Sequence, residues 1–199
     1  MYTVNGCVFC KVSPQIMLKS TPFFHVIADP YPIIRGHIMI ISRQHYGCCG
    51  ELDTQAFIAL NHLREQVEKI YKARYGRFVC YEHGRAGSCT NLSGTSECHH
   101  MHLHFLPILV DLHRLIDEKI TRYRIEFPDL SNLYNTYGNY LLTGNATAGY
   151  HFYNLSSIAT ELPPHYIRSK IASTIGCPQR ANWETMPVGK SAYLDIQSN

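Results

Sequence analysis

The strongest chemical signal in the sequence is a run of histidines, His99-His-Met-His-Leu-His-Phe-Leu-Pro107. In a β-strand, residues two apart share a face, so His100, His102 and His104 would project together while the intervening apolar residues pack into the core. Imidazole binds metals and transfers protons near neutral pH, whereas a solvated strand face could equally use Thr, Lys or Glu. The triplet therefore predicts either a catalytic metal site or a nucleophilic imidazole oriented by its neighbours. The spacing favours neither, because both need convergent rings on one rigid element.

A second motif, Cys7-Val-Phe-Cys10, is a C-x-x-C pair near the N-terminus. Such a pair occurs in zinc sites, in redox dithiols and by coincidence. A thioredoxin-like dithiol follows a strand and opens a helix within a β-α-β unit, and no such pattern surrounds this pair. Zinc is therefore favoured, with His45 and His100 as candidates for the other two ligands. A closed Cys2His2 site is structural, and it would leave the rest of the histidine triplet for chemistry.

Composition and charge restrict the partners. The chain has 199 residues, 12 of them histidine and 8 cysteine, and a formal net charge of +3. This charge is too small to indicate nucleic acid and suits an anionic small molecule. The N-terminus lacks the basic and apolar stretches of a secretory signal, and the longest apolar run is far shorter than the roughly 20 residues of a membrane span. We therefore expect a cytoplasmic protein with no membrane partner, whose cysteines are thiols or metal ligands; adjacent Cys48 and Cys49 are rival zinc ligands.

Hydrophobic patterns predict the elements that must position these residues. The apolar positions of the longest helix recur at three and four, and Gly76 ends that pattern. The predicted core elements are strands at 23–27 and 37–42, a helix at 51–75, strands at 77–81 and 99–109, and a polar loop at 84–97. Antiparallel strands with one long helix indicate an α+β fold rather than a doubly wound parallel sheet.

The second half of the chain carries weaker patterns. No repeat, low-complexity tract or linker divides the sequence, so we predict a core domain over residues 1–110 and a C-terminal extension over 111–199 that packs on it. The elements expected in the extension are a short helix at 111–118, a hairpin of 139–143 with 150–153, and a helix at 166–175.

Taken together, these motifs resemble the histidine triad superfamily of nucleotide hydrolases and transferases. His100-Met-His-Leu-His-Phe-Leu matches its signature of alternating histidine and apolar residues, and the segment from Asp29-Pro-Tyr-Pro to Gly-His-Ile-Met-Ile-Ile-Ser-Arg-Gln-His45 is similar to its strand-turn-strand segment. The C-x-x-C pair resembles the start of its zinc-containing branch. Tyr81-Glu-His-Gly84, His165-Tyr-Ile-Arg168 and Trp183 look like a subgroup with a C-terminal extension. The resemblance implies an antiparallel sheet with one long helix packed on it, plus a C-terminal α/β extension.

The resemblance also implies roles for single residues. His102 corresponds to the nucleophile, which attacks the α-phosphorus and forms a nucleotidyl-histidine, and His104 to a ring that contacts the phosphate and leaving group. Asp29 corresponds to the residue that binds the ribose hydroxyls, a task suited to a carboxylate. His37 is implied to be a buried orienting group. The implied ligands of a structural zinc are Cys7, Cys10, His45 and His100, and no active-site cation is required.

Charge that develops on the phosphate needs donors. The stretch at 94–98, just before the triplet, is positioned to offer backbone N–H groups and the hydroxyls of Thr95 and Ser96. Glu82 falls where better-known branches of the superfamily place Gln or Asn near the phosphate, so the resemblance implies a substrate-binding position, and a carboxylate there would repel an anionic substrate unless protonated, paired or turned away. Arg85 either neutralises Glu82, grips a distal phosphate or lies on a surface loop.

The leading functional hypothesis is a nucleotide hydrolase or nucleotidyl transferase that acts on a dinucleoside polyphosphate or a nucleoside phosphoramidate. The alternatives are a metal hydrolase that uses the histidine triplet as ligands, and a zinc-stabilised nucleotide-binding module whose chemistry has lapsed. The resemblance further implies a homodimer. The basic residues of the extension, His165, Arg168 and Lys170, are expected on a solvated helix face rather than beside a leaving group.

Overall fold

A computed structural model describes residues 7–85, 100–158, 162–163 and 165–186. Its strands are β1 (Met17–Ser20), β2 (Phe24–Ala28), β3 (Ile38–Ser42), β4 (Val79–Gly84), β5 (His102–Leu106), β6 (Arg122–Ile125), β7 (Tyr140–Asn145) and β8 (Gly149–Asn154). Its α-helices are α1 (Thr54–Tyr75), α2 (Leu130–Tyr137) and α3 (Tyr166–Thr174). The strands form one antiparallel sheet in the order β1-β2-β3-β5-β4-β7-β8-β6. The predicted α+β class with an antiparallel sheet is confirmed.

The long helix α1 covers one face of the sheet. The Asp53 carboxylate caps it by accepting the Ala56 N–H at 2.9 Å. Gly76 ends it with a positive φ of 69°, a conformation that favours glycine. The helix begins three residues later than predicted, because Cys49–Glu51 forms a 3-10 turn before the cap. The buried side chains that α1 packs into the core include Leu60, Leu63, Val67 and Tyr71.

The alternation of β5 decides which of its residues face α1. Leu103 and Phe105 are fully buried in the core beneath the helix. Because successive side chains of a strand point to opposite sides, His102 and His104 project from the other face. Tyr81 of β4 is the cross-strand partner of His104 on that face. We call this surface the histidine face.

The C-terminal residues continue the same sheet. The predicted hairpin is present as β7 and β8, and β7 pairs with β4 along its whole length, from Val79 opposite Asn145 to Gly84 opposite Tyr140. The helix predicted at 111–118 is limited to a 3-10 turn at Leu112–Arg114.

Helix α3 lies over the histidine face. Its Ile167 and Ile171 are buried in a cluster with Val79 and Tyr81 of β4. The extension therefore covers part of the surface from which the triplet projects. No helix in the described part of the chain is long and apolar enough to cross a membrane.

Candidate functional site

His102 stands at the start of β5 with its ring partly exposed. Its Nδ1 lies 2.5 Å from the carbonyl oxygen of His100. A carbonyl oxygen only accepts hydrogen bonds, so the neutral ring carries its proton on Nδ1 and Nε2 keeps a lone pair. Phe9 packs against the ring with centroids 5.1 Å apart, and His104 meets it edge-on at 4.9 Å. His102 is thus held in the tautomer that a nucleophilic Nε2 requires.

A chain of hydrogen bonds fixes the proton of His104. The N–H of Ile33 donates to Nδ1 of His37 at 3.2 Å, so a neutral His37 carries its proton on Nε2. That Nε2 lies 2.9 Å from Nδ1 of His104, which must accept, and the proton of His104 is therefore on its own Nε2. Burial lowers the pKa of His37 to about 4 and the pKa of His104 well below its usual value, which keeps both rings neutral. Tyr81 stacks on His104 with centroids 4.4 Å apart.

Asp29 follows β2, and its carboxylate is engaged inside the protein. Its Oδ1 accepts the Tyr31 N–H at 2.7 Å, and its Oδ2 lies 3.3 Å from Nδ1 of His37 and 3.5 Å from Nη1 of Arg168. The structure therefore places this carboxylate in a buried ion pair, and ribose binding by it stays a prediction. The position of Arg168 is corrected: it is 5% exposed, not on a solvated helix face, because α3 packs that side onto the core domain.

Glu82 is turned away from the histidine face. It alternates with Tyr81 along β4, so it points toward α1, where its Oε1 accepts the Cys49 N–H at 2.8 Å and its Oε2 accepts the Tyr140 hydroxyl at 2.6 Å. Burial raises the pKa of Glu82 to about 7. Of the three arrangements that would avoid repulsion of an anionic substrate, the structure shows Glu82 turned away and paired, and its contact with a substrate stays a prediction. Strand alternation is the physical reason for this orientation.

Arg85 contacts a different carboxylate from the one expected. Its Nε lies 2.9 Å from Oε1 of Glu51, and its side chain is 43% exposed. It therefore does not neutralise Glu82, which is fully buried on the α1 side. Thr95 and Ser96, the predicted phosphate donors, lie outside the described residues.

His83 belongs to the site and was missed by the sequence analysis. The predicted strand ended at residue 81, whereas β4 continues to Gly84, and alternation from Tyr81 carries His83 onto the histidine face. Its Nε2 accepts the Ile167 N–H at 3.2 Å. Burial lowers its pKa to about 3, and the nearby His102 and His165 act in the same direction. The period-two pattern beyond Tyr81 was the signal that could have found it.

Four metal-binding side chains meet beside the start of β5. Their ligand atoms all lie within 4.8 Å of one another, and they belong to Cys7, Cys10, His45 and His100. Nδ1 of His100 lies 3.4 Å from Sγ of Cys7, 3.8 Å from Sγ of Cys10 and 3.1 Å from Nδ1 of His45. A tetrahedral zinc with bonds of about 2.3 Å to sulfur and 2.0 Å to nitrogen separates its ligand atoms by about 3.3 to 3.8 Å. Nε2 of His100 donates to the Ser42 carbonyl at 2.8 Å, so Nδ1 is its ligand atom.

The alternative metal interpretations fit less well. A second group of close donor atoms comprises Asp29, His37 and His104. There the direct hydrogen bond between the two rings explains their proximity, and the guanidinium of Arg168 beside the carboxylate would repel a cation. Neither group, in the described part of the chain, includes His102, so the triplet does not converge on one ion. The rival thiols of Cys48 and Cys49 are buried in the α1 core instead.

Comparison with known proteins identifies a family. The family described as scavenger mRNA decapping enzyme C-term binding matches residues 6–115, more than half of the chain. A CWF19-like protein 1 homolog of Drosophila melanogaster is 27% identical over 81 residues, which cover 39% of this chain and 15% of the fly protein. The matched segment is therefore a small part of that relative.

Solved structures of histidine triad proteins are also similar. A histidine triad protein from Clostridium difficile is 20% identical with a TM-score of 0.41, covering 52% of this chain and 91% of that one. The yeast Ap4A phosphorylase, solved with AMP, is 9% identical with a TM-score of 0.39, covering 69% of this chain and 57% of that one. On the family match over residues 6–115, this chain belongs to the scavenger mRNA decapping enzyme C-term binding family, within the histidine triad superfamily.

Proposed function

We propose that the chain is a nucleotide hydrolase or nucleotidyl transferase of the histidine triad type, which acts at the α-phosphorus of a nucleoside phosphate conjugate. One observation carries the proposal: Nδ1 of His102 is 2.5 Å from the His100 carbonyl oxygen, which leaves Nε2 unprotonated. A neutral imidazole with a lone pair on one ring nitrogen is a good nucleophile at pH 7. The nearby Nε2–H of His104 supplies a proton donor on the same face.

The reaction then proceeds in two displacements. In the first, Nε2 of His102 forms a bond to the α-phosphorus, and the bond from phosphorus to the leaving group breaks. The leaving group departs with the electron pair, and the hydrogen bond donated by Nε2–H of His104 stabilises the negative charge that develops on it. In the second, water or another acceptor attacks the phosphorus, the phosphorus–nitrogen bond breaks with its electron pair returning to Nε2 of His102, and the proton of the acceptor is released to solvent. Both histidines return to their starting tautomers.

The substrates proposed are dinucleoside polyphosphates or nucleoside phosphoramidates. The family name refers to an mRNA decapping enzyme, so a capped dinucleotide belongs in the same substrate panel. All three carry a nucleoside phosphate whose α-phosphorus a histidine can attack. The residues that bind the leaving group, and not the triplet, decide among them.

The proposal is tested by trapping the intermediate. The chain is mixed with each substrate of the panel, quenched within one turnover and measured by intact mass and peptide mapping. We expect one nucleotide attached to His102, and no adduct and a loss of turnover of about 10⁴-fold or more in His102→Ala. His62→Ala, an exposed position on α1, is the matched control and should react normally. Full turnover in His102→Ala would overturn the proposal.

We also propose that the Cys2His2 quartet holds a structural zinc. A closed four-ligand site contributes folding energy and would tie the N-terminal segment to β5 without entering the chemistry. The ligand spacing described above supports this assignment. Elemental analysis of protein purified with zinc is expected to give one ion per chain, and His45→Ala is expected to lose it. Full zinc occupancy in that variant would contradict the proposal.

A further inference from the structure

Helix α3 of the extension brings one arginine into the interior of the site. The side chain of Arg168 is 6% exposed, and two backbone carbonyls hold its guanidinium. Its Nε donates to the Arg180 oxygen at 3.0 Å, and its Nη2 donates to the Tyr31 oxygen. Its Nη1 lies 3.5 Å from Oδ2 of Asp29. Because the guanidinium is planar and held on two sides, its charge has one defined position beside the carboxylate.

Arg168 and His37 both lie beside the same carboxylate, that of Asp29. Oδ2 of Asp29 lies 3.3 Å from Nδ1 of His37 and 3.5 Å from Nη1 of Arg168. A buried carboxylate without a cation is costly, so it would draw a proton onto that nitrogen. With Arg168 in place, the charge of Asp29 is balanced, and Nδ1 of His37 is left to accept the Ile33 N–H.

We propose that Arg168 is a positioning residue that sets the tautomer of His104 through Asp29 and His37. With the guanidinium present, His37 donates from Nε2, His104 accepts at Nδ1, and Nε2–H of His104 faces the reaction. Without it, the proton of His37 moves to Nδ1 beside Asp29, and its Nε2 becomes an acceptor. His104 must then donate from Nδ1, and its Nε2 no longer donates a hydrogen bond to the leaving group.

The surroundings of His104 make Asp29 the deciding charge. The titratable or charged groups that face His104 are His102 on β5, Tyr81 and His83 on β4, His37 before β3, Asp29 after β2 and Arg168 on α3. Asp29 is the one carboxylate in this group. The extension therefore contributes a residue, Arg168, that acts on the hydrogen-bond chain of His37 and His104 in the core domain. Only the catalytic consequence of this inference rests on the proposed function.

Nitrogen-15 NMR of the histidine rings tests the tautomer without substrate, in the full chain with zinc bound. We expect a protonated Nε2 for His104 in the unsubstituted protein and a protonated Nδ1 in Arg168→Met. Arg124→Met, exposed on β6, is the control and should leave the tautomer unchanged. The double variant Asp29→Asn, Arg168→Met removes both charges and should restore the original tautomer. It also keeps the test valid if the single variant does not fold. An unchanged His104 in Arg168→Met, or an unrestored one in the double variant, overturns the inference.

Kinetics with two leaving groups gives a second readout. Nucleotide esters of an alkyl alcohol build up negative charge on the departing oxygen and depend on a hydrogen-bond donor there, whereas p-nitrophenyl esters delocalise that charge into the ring. Arg168→Met is expected to slow the alkyl ester by about 10²-fold and the p-nitrophenyl ester by only a few fold. Equal slowing of both would indicate a merely structural role and overturn the inference. If the unsubstituted protein forms no His102 adduct, the proposed function fails while the NMR result stands, so the two failures are distinguishable.

Discussion

Replacing Glu82 by glutamine is expected to remove a pH dependence of stability that this one carboxyl creates. Glu82 is 1% exposed, and its oxygens accept hydrogen bonds from the Cys49 N–H and the Tyr140 hydroxyl. Burial raises its pKa from the usual 4.5 to about 7. Unfolding returns the carboxyl to water and to its ordinary pKa, so the folded state binds this proton more tightly.

The direction and size of the effect follow from that difference. A raised pKa in the folded state gives stability that is complete below pH 4.5 and is lost as the pH rises through about 7. One pKa unit corresponds to about 1.36 kcal/mol, so this carboxyl stabilises the protein by about 2.5 kcal/mol more at about pH 5 than at about pH 8. Glutamine has nearly the same shape and does not titrate.

Urea unfolding of both proteins at several pH values measures this contribution. Subtracting the two free energies of unfolding cancels the groups that the proteins share. We expect the free energy of unfolding of Glu82→Gln, relative to that of the unsubstituted protein, to rise by about 2.5 kcal/mol from about pH 5 to about pH 8. Glu118→Gln, at an exposed position, is the control and should show no trend. The buried, proton-binding state of Glu82 would be refuted if the stability of the variant relative to the unsubstituted protein were independent of pH. It would also be refuted if that relative stability increased toward low pH.

Three further substitutions test other parts of the account. Cys10→Ser should lower the zinc content below one ion per chain and the melting temperature with it, and full zinc content by elemental analysis would contradict the quartet. Asp53→Ala removes the cap that accepts the Ala56 N–H, and it should lower the free energy of unfolding by about 1 kcal/mol in urea titration; no loss would mean that the cap is not stabilising. Within the described part of the chain, Arg85→Met breaks the half-exposed pair with Glu51, so it should leave KM unchanged, and a raised KM would place Arg85 at the substrate.

The sequence predicted elements whose signal is local. The alternation through Leu103 and Phe105 orients β5 correctly, because burial of every second residue depends only on strand geometry. The apolar spacing and Gly76 likewise located α1. The convergence of Cys7 and His45 on one site follows from motif spacing and from the resemblance, and their zinc remains a proposal.

Other features depend on tertiary contacts that no local pattern encodes. Strand β6, Arg122–Ile125, alternates arginine with apolar residues at the sheet edge and was not predicted. The burial of Arg168 arises only because α3 packs against the segment after β2. Glu82 was placed near the substrate by its resemblance to a superfamily position, and the predicted strand ended one residue too early to show which face it takes. The error over Arg168 concerns how separate elements meet, whereas β6 and the 3-10 turn at Leu112–Arg114 are errors in the elements themselves.

The stereochemical course at phosphorus distinguishes attack by His102 from direct attack by water. An in-line displacement inverts the configuration at phosphorus, so two successive displacements restore it. A substrate made chiral by one sulfur at the α-phosphorus is turned over in isotopically labelled water, and the product configuration is read by phosphorus NMR. We expect net retention of configuration at phosphorus, because the reaction passes through the nucleotidyl-His102 intermediate. Net inversion would show that water attacks the phosphorus directly and would contradict it.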